Sequence, residues 1–456
     1  MQDLTTGPVR RHLLTTTGFM LVTMVFQTLY FLVDLYWVGR LGTEAVAAVG
    51  IAGNLNFVVL ALSQMLGVGA TTAVAHASGR RDRDAVLLAF NQAQLLAMLT
   101  GVLFLALGLA LRDRYVAAMS ADAATARLAS EYLLWFVPAL ALQFALVAMS
   151  AALRGSGNFK PGMIVSSGSV VLNMVLAPFL IFGWGTGRAF GVAGAAMSTF
   201  VSVALGVVWL GAYFLRPDSF LKFTVGDWRP RLALWRRMIA VGLPAGFEFA
   251  MMAVYMVVVY AVARPFGAAA QAGFGVGMRI VQAGFMPVVA LGFSVAPVAG
   301  QNFGARRGDR VRETFRQASL MAAVAMAVLV LLCHIAPASL IAIFAQDPAA
   351  VAVGEEYLRI VSWNFVASGL IFVTSSMFQA MGNTIPSLAV SALRMAVVVL
   401  PLSVLARLPG FELRWIWYLT VVAVFLALAL SWLLLRREFE RRLVFDEPVV
   451  GVMPAV

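Results

Sequence analysis

Three polar residues share one stripe of an otherwise apolar run near the start of the chain. Gln27, Tyr30 and Asp34 stand at i, i+3 and i+7, which places an amide, a phenol and a carboxylate on one face of a helix. A carboxylate in partly dry surroundings can take up and release a proton, so Asp34 is the candidate ion-coupling group. The alternative is an aspartate near the outer end of its helix that reaches water or pairs with Arg40, six residues and roughly 9 Å further on.

Three more ionisable residues interrupt apolar runs: Glu248, Arg279 and Arg394. Glu248 follows Gly242-Leu243-Pro244, and Arg394 follows Pro386 by eight residues. Both enter from the same side to similar depth, so the two are expected within pairing distance, with Gln282 as a further member of a polar site in the second half. That site could serve function or only structure. Arg279 is expected to hold backbone carbonyls near a helix end. Asn173 and Thr199 could face the same cavity as Asp34, although such residues equally join helices by hydrogen bonds.

The elements that must position these groups are membrane helices. The chain of 456 residues is 62% hydrophobic and 12% charged, against about 25% charged for ordinary soluble proteins. Twelve apolar stretches are long enough to cross a bilayer, which takes roughly 20 residues each. They lie near 13–38, 47–75, 86–111, 128–153, 162–184, 191–215, 238–262, 272–300, 315–337, 355–380, 385–406 and 415–435. The fold expected is therefore an all-α integral membrane protein. No cleavable signal peptide is visible, and the lone Cys333 excludes an intrachain disulfide.

With both termini inside, cytoplasmic segments carry 22 of the 33 basic residues, as the positive-inside rule requires. The expected location is the cytoplasmic (inner) membrane. The net charge of +12 is then explained by basic loops facing anionic lipid, with no nucleic acid as partner.

The chain also repeats itself. Gly67, Gly79, Arg81, Asp84, Phe90 and Gln92 recur, in order and with no gap, as Gly292, Gly304, Arg306, Asp309, Phe315 and Gln317. Glu131-Tyr132-Leu133 returns as Glu356-Tyr357-Leu358 at the same offset. Six spans per copy is an even number, so the two six-helix repeats are parallel and form two lobes. The expected division is a lobe at 1–215, a cytoplasmic linker at 216–237 and a second lobe at 238–456. In the matching turns at Gly79 and Gly304, the glycine is expected to end one helix and an aspartate to cap the next.

Other chemistries lack their residues. The chain has no Walker loop, and His12, His76 and His334 have no metal-ligand spacing. No nucleophile and base form a constellation, so an enzyme is not expected, nor any cofactor or resident metal.

Across nearly its whole length the chain resembles the multidrug and toxic compound extrusion (MATE) transporters, of the DinF-like and NorM-like bacterial kinds. The resemblance rests on Gln27-x-x-Tyr30-x-x-x-Asp34-x-x-x-Val38-Gly39-Arg40-Leu41-Gly42, on Gly67-Val68-Gly69-Ala70, and on Gly79-Arg80. The second half adds Ala272-Gly273-Phe274-Gly275-Val276-Gly277-Met278-Arg279-Ile280 and Val298-Ala299-Gly300-Gln301-Asn302-Phe303-Gly304-Ala305. It implies two six-helix bundles forming a V, and export of organic, often cationic, compounds against inward H⁺ or Na⁺. It further implies a coupling role for Asp34, with Gln27, Tyr30, Asn173 and Thr199 in its cavity. Where related members carry a second carboxylate, four residues after the asparagine, this chain has Ala177. A single carboxylate suits H⁺ better than Na⁺. The expected protein is a monomeric H⁺ antiporter for small organic compounds, surrounded by membrane lipid. A Na⁺-coupled drug antiporter and a lipid-linked oligosaccharide flippase of the same superfamily are the alternatives.

Overall fold

A computed structural model describes residues 2–185, 187–345 and 347–445; the last residues of the 238–456 division lie outside them. Every described element is helical. The first half contains α1 (Val9–Gly39), α2 (Thr43–Gly53), α3 (Leu55–Gly79), α4 (Arg83–Met119), α5 (Ala123–Gly155), α6 (Phe159–Phe182) and α7 (Gly191–Phe214). The second half contains α8 (Leu232–Ala263), α9 (Ala268–Gly304), α10 (Gly308–Ile335), α11 (Pro337–Ala342), α12 (Pro348–Val361), α13 (Phe365–Ala380), α14 (Ile385–Leu405) and α15 (Arg414–Arg442). Among the described residues, 12 helical stretches are long and apolar enough to cross a membrane. Each overlaps one of the twelve expected spans, with ends that differ by several residues. Leu103, Val208 and Leu331 stay exposed, as side chains facing lipid should.

Two spans are broken. Asn54 separates α2 from α3, and a 3₁₀ turn at Ser362–Asn364 separates α12 from α13. Trp363, in that turn, is the repeat counterpart of Pro138, which sits inside the continuous α5. Both repeats thus weaken the same point of the same span, one by a proline that cannot donate to the helix ladder.

The halves are not separate in space. Leu4, Val9 and Leu13 are fully buried in the core of the second lobe. Trp235 and Ile239, at the start of α8, pack instead against the core of the first. Each lobe's first helix therefore begins on the other lobe, and the expected boundaries at 215 and 238 cut across this exchange. The linker is also shorter than 216–237, because α8 begins at Leu232. Its preceding segment is tied to α4. Asn91 Nδ2 donates to the Lys222 carbonyl at 3.1 Å, Gln92 Nε2 to that of Arg229 at 2.8 Å, and Arg231 N–H to Gln92 Oε1 at 2.9 Å.

The repeated glycines end α3 and α9 as expected, and they also serve packing. The left-handed residues are Arg81 and Arg306, each with φ 57°. Gly79 and Gly304 lie just before them, where a Cβ would collide with the Gln301 and His76 carbonyls respectively. The seam between the lobes needs backbone in close contact, and only glycine permits it. Aspartate capping holds for one copy only: Asp82 Oδ1 accepts from Ala85 N–H at 3.0 Å, whereas its counterpart Arg307 makes no side-chain cap.

Candidate functional site

In the first lobe, α1 lays Tyr30 and Asp34 against α6 and α7. Asn173, on α6, is buried and donates through Nδ2 to Thr199 Oγ1 at 3.2 Å and lies 3.4 Å from Ser198 Oγ. Thr199 Oγ1 lies 3.2 Å from the Ala195 carbonyl and 3.2 Å from the Tyr30 hydroxyl. A hydroxyl has one proton and two lone pairs. With its proton on Ala195 and one lone pair taken by Asn173, Thr199 accepts from Tyr30, so the phenol donates.

Beside this saturated network, Asp34 Oδ1 is shielded from solvent and has no hydrogen-bond partner among the described residues. The carboxylate's field reaches the phenols of Tyr30 and of the buried Tyr132 on α5. Arg40 does not pair with Asp34. Its guanidinium contacts the Tyr36 hydroxyl and lies 4.6 Å from that ring's centroid. The position four residues beyond Asn173 is the buried methyl of Ala177.

The structure thus gathers Tyr30, Asp34, Asn173 and Thr199. Gln27 shares their stripe by spacing, but its side chain is exposed and outside the hydrogen-bonded set.

The second lobe has its own polar pocket. Glu248 on α8 accepts hydrogen bonds from Ser387 on α14 and from Ser375 on α13 at 3.4 Å. The two serine hydroxyls also touch each other. Arg394 attracts Glu248 electrostatically yet forms no ion pair with it among the described residues. The direct hydrogen bonds to the carboxylate come from hydroxyls, one on each oxygen, which need no second charge to be desolvated in contact with it. Further along, the Tyr255 hydroxyl lies 3.1 Å from Thr420 Oγ1. Gln282 does not belong to this pocket. It is exposed, one turn from Met286, whose sulfur lies 3.9 Å from Thr28 Oγ1 across the lobes. Arg279 is likewise exposed and holds no carbonyl among the described residues.

Ser198, Ser375, Ser387 and Tyr132 escaped the sequence reading. Single hydroxyls inside helices look like ordinary helix contacts, and only the fold reveals which of them point at a carboxylate. Among the described residues no group of three or more His, Cys, Asp or Glu could hold a metal ion.

Twelve membrane-length helices in two parallel repeats, with a carboxylate-bearing pocket in each lobe, define a two-lobed secondary transporter fold. The chain belongs to the MatE family, which it matches over residues 20–179 and 244–405. It is similar to multidrug export protein MepA of Staphylococcus haemolyticus, with 26% identity over 426 residues and 92% of each chain covered. A probable multidrug resistance protein, YpnP of Bacillus subtilis, is 26% identical over 408 residues, 88% of this chain and 89% of that one. An outward-facing multidrug resistance MATE family transporter of the MOP superfamily superposes with a TM-score of 0.87 at 25% identity, covering 96% of this chain and 97% of the other.

Proposed function

We propose that this protein is an H⁺-coupled antiporter that exports small organic compounds, often cationic and amphipathic, by alternating access. It would act as a monomer in the cytoplasmic membrane, with both termini in the cytoplasm. The observation that carries the reading is the buried, unpartnered Oδ1 of Asp34 beside the closed Tyr30–Thr199–Asn173 network. A carboxylate oxygen lacking a donor is relieved by a proton or by a cation. If both ligands compete for it, each favours a different arrangement of the lobes, and their gradients become coupled.

The choice of H⁺ over Na⁺ follows from ligand count. A bare cation needs several oxygens, whereas here the position four residues beyond Asn173 offers only the buried methyl of Ala177 and leaves a single carboxylate. Relatives named as multidrug export proteins support the substrate class.

The test is substrate-induced proton release from the purified protein in proteoliposomes, with and without Na⁺. Release that is unchanged by Na⁺ is expected. Substrate flux that follows only a Na⁺ gradient would overturn the H⁺ reading.

A further inference from the structure

Between the lobes lies a narrow cleft lined by Gln64, Arg154, Phe293 and Gln379 among others, and no acid lines it. Arg154 and Gln379 occupy equivalent positions in the two repeats, as do Val68 and Phe293. All four line the cleft, so it sits on the axis relating the two repeats. Below it the seam closes at Gly79 and Gly304. Thr72, on the cleft wall, stands seven residues and roughly 10 Å above Gly79.

By sequence Arg154 counts among the cytoplasmic loop cations. In the fold it belongs to the last turn of α5, and its guanidinium carbon lies 5.7 Å from the ring centroid of Phe293 on α9. It passes Gly67 on α3, where a Cβ would stand in ordinary van der Waals contact with Arg154 Nη2 at 3.8 Å. Among the described residues Arg154 has neither an ion pair nor a hydrogen-bonding acceptor.

A second cation continues the line. Arg279, Gln282, Met286 and Phe293 lie at i, i+3, i+7 and i+14 along α9, which is one helical face. Phe293 fixes that face to the cleft, and Met286 meets α1 of the other lobe. Arg279 is exposed on it and unpaired among the described residues. It stands about 21 Å from Phe293 along the axis. Glu248 is held inside the second lobe against α13 and α14, and the shielded Asp34 Oδ1 lies on the α1 face that Tyr30 turns toward Thr199 of the first. Cations therefore line the space between the lobes, and acids lie to either side.

We propose that the interlobe cleft binds an oxyanion, the carboxylate or phosphate of a solute, with Arg154 as its floor and Arg279 as an outer attracting charge. An unpaired guanidinium in low dielectric is costly until an anion arrives, and a planar oxyanion matches its fork of donors. The amides of Gln64 and Gln379 supply further donors at the same place. This inference rests on the transporter reading and names a substrate class for it: carboxylate-bearing or zwitterionic amphiphiles. Their cationic ends would remain available to the acids of the lobes.

The test uses the full chain in phosphatidylcholine nanodiscs, with carboxyfluorescein as the anionic probe and ethidium as the cationic one, each titrated by fluorescence anisotropy. Arg154→Gln, which copies Gln379, is expected to weaken carboxyfluorescein at least about tenfold and leave ethidium unchanged. Arg154→Lys should restore part of the loss, and Arg279→Gln should give a smaller loss that salt screens out. Equal weakening of both probes in Arg154→Gln would make the residue structural and overturn the proposal. So would wild-type protein that binds ethidium but not carboxyfluorescein, or that retains added phosphatidylglycerol in place of the dye. Wild-type protein that binds neither dye would count against the transporter reading itself.

Discussion

His76 and Gln301 are the same residue position in the two repeats, and each reaches across the seam to the opposite lobe. His76 Nε2 lies 2.6 Å from the Ala380 carbonyl. Gln301 Nε2 donates to the carbonyl of Gly155 at 2.9 Å. Ala380 and Gly155 are themselves repeat partners. A carbonyl can only accept, so the Nε2 of His76 carries its proton. The seam is thus held by one bond used twice, in a chemistry the repeats no longer share.

Crossed bonds of this kind predict a graded opening. Each net hydrogen bond is worth about 0.5–1.5 kcal/mol, so His76→Ala or Gln301→Ala alone should raise the seam-open population several-fold. The double variant should exceed the sum, since either bond alone still aligns the other. Gly79→Ala and Gly304→Ala should open it further, because a methyl there meets backbone that cannot yield. Spin labels at Asp84 and Asp309, exposed at matching positions beyond the seam, would report the distance. An unchanged distance distribution in Gly79→Ala would refute the seam's role.

The segment before α1 acts as a strap over the same seam. Gln2 N–H donates to Ser156 O at 3.1 Å in the first lobe, and Leu4 N–H donates to Gln301 Oε1 at 3.0 Å in the second. Arg307 donates to Thr5 O at 2.7 Å, and Asp3 pairs with Arg81 at 3.1 Å. Burial works to raise the Asp3 carboxyl, but hydrogen bonds from Thr5 and Arg81 outweigh it and hold the group below its ordinary value. Its contribution is therefore full above about pH 3.9, the ordinary aspartate value, and is lost as pH falls through the lower folded value. At neutral pH, Leu4→Asp should release the strap and speed proteolysis near residue 7, while Asp3→Asn should act weakly. Equal protease resistance of Leu4→Asp and wild type would exclude a strap.

At the proposed coupling site, Asp34→Asn keeps the volume and removes the charge. It should abolish drug-linked proton movement and reduce efflux at least about tenfold, with expression intact. Tyr30→Phe removes only the donor to Thr199 and should cost about 1 kcal/mol of stability while leaving coupling in place. Wild-type drug resistance in cells carrying Asp34→Asn would end the proposal that this residue couples.

Much of this was legible in the sequence. Twelve spans follow from hydrophobic run length, and the parallel repeat follows from an ungapped offset. Asp34, Tyr30, Asn173 and Thr199 were identifiable because polar groups in apolar helices need a reason. The seam was hidden for a physical cause: a glycine reads as a turn residue, and nothing local shows that a carbonyl from the other lobe fills its missing side chain. Arg154 looked like a loop cation because it sits at a helix end, and only packing against Phe293 turns it inward. Glu248 and Arg394 form no direct ion pair, and depth along two helices could not show that Ser375 and Ser387 are the donors to the carboxylate.

Those hydroxyls yield the last prediction. Glu248 is matched in the first repeat by Thr23, and Asp34 is matched in the second by Val259, so the second pocket is no copy of the first. Its carboxylate is held by Ser375 and Ser387, whereas Asp34 Oδ1 is left without a donor. A satisfied carboxylate joins helices, and an unsatisfied one waits for a ligand. Ser387→Ala should therefore lower stability by about 1–3 kcal/mol, the cost of an orphaned buried acceptor, seen as a reduced melting temperature in detergent. Glu248→Gln, which keeps a hydrogen-bonding carbonyl, should cost less and leave the number of protons exchanged per substrate unchanged. A Glu248→Gln protein that melts normally but loses coupling would move the coupling site to the second lobe.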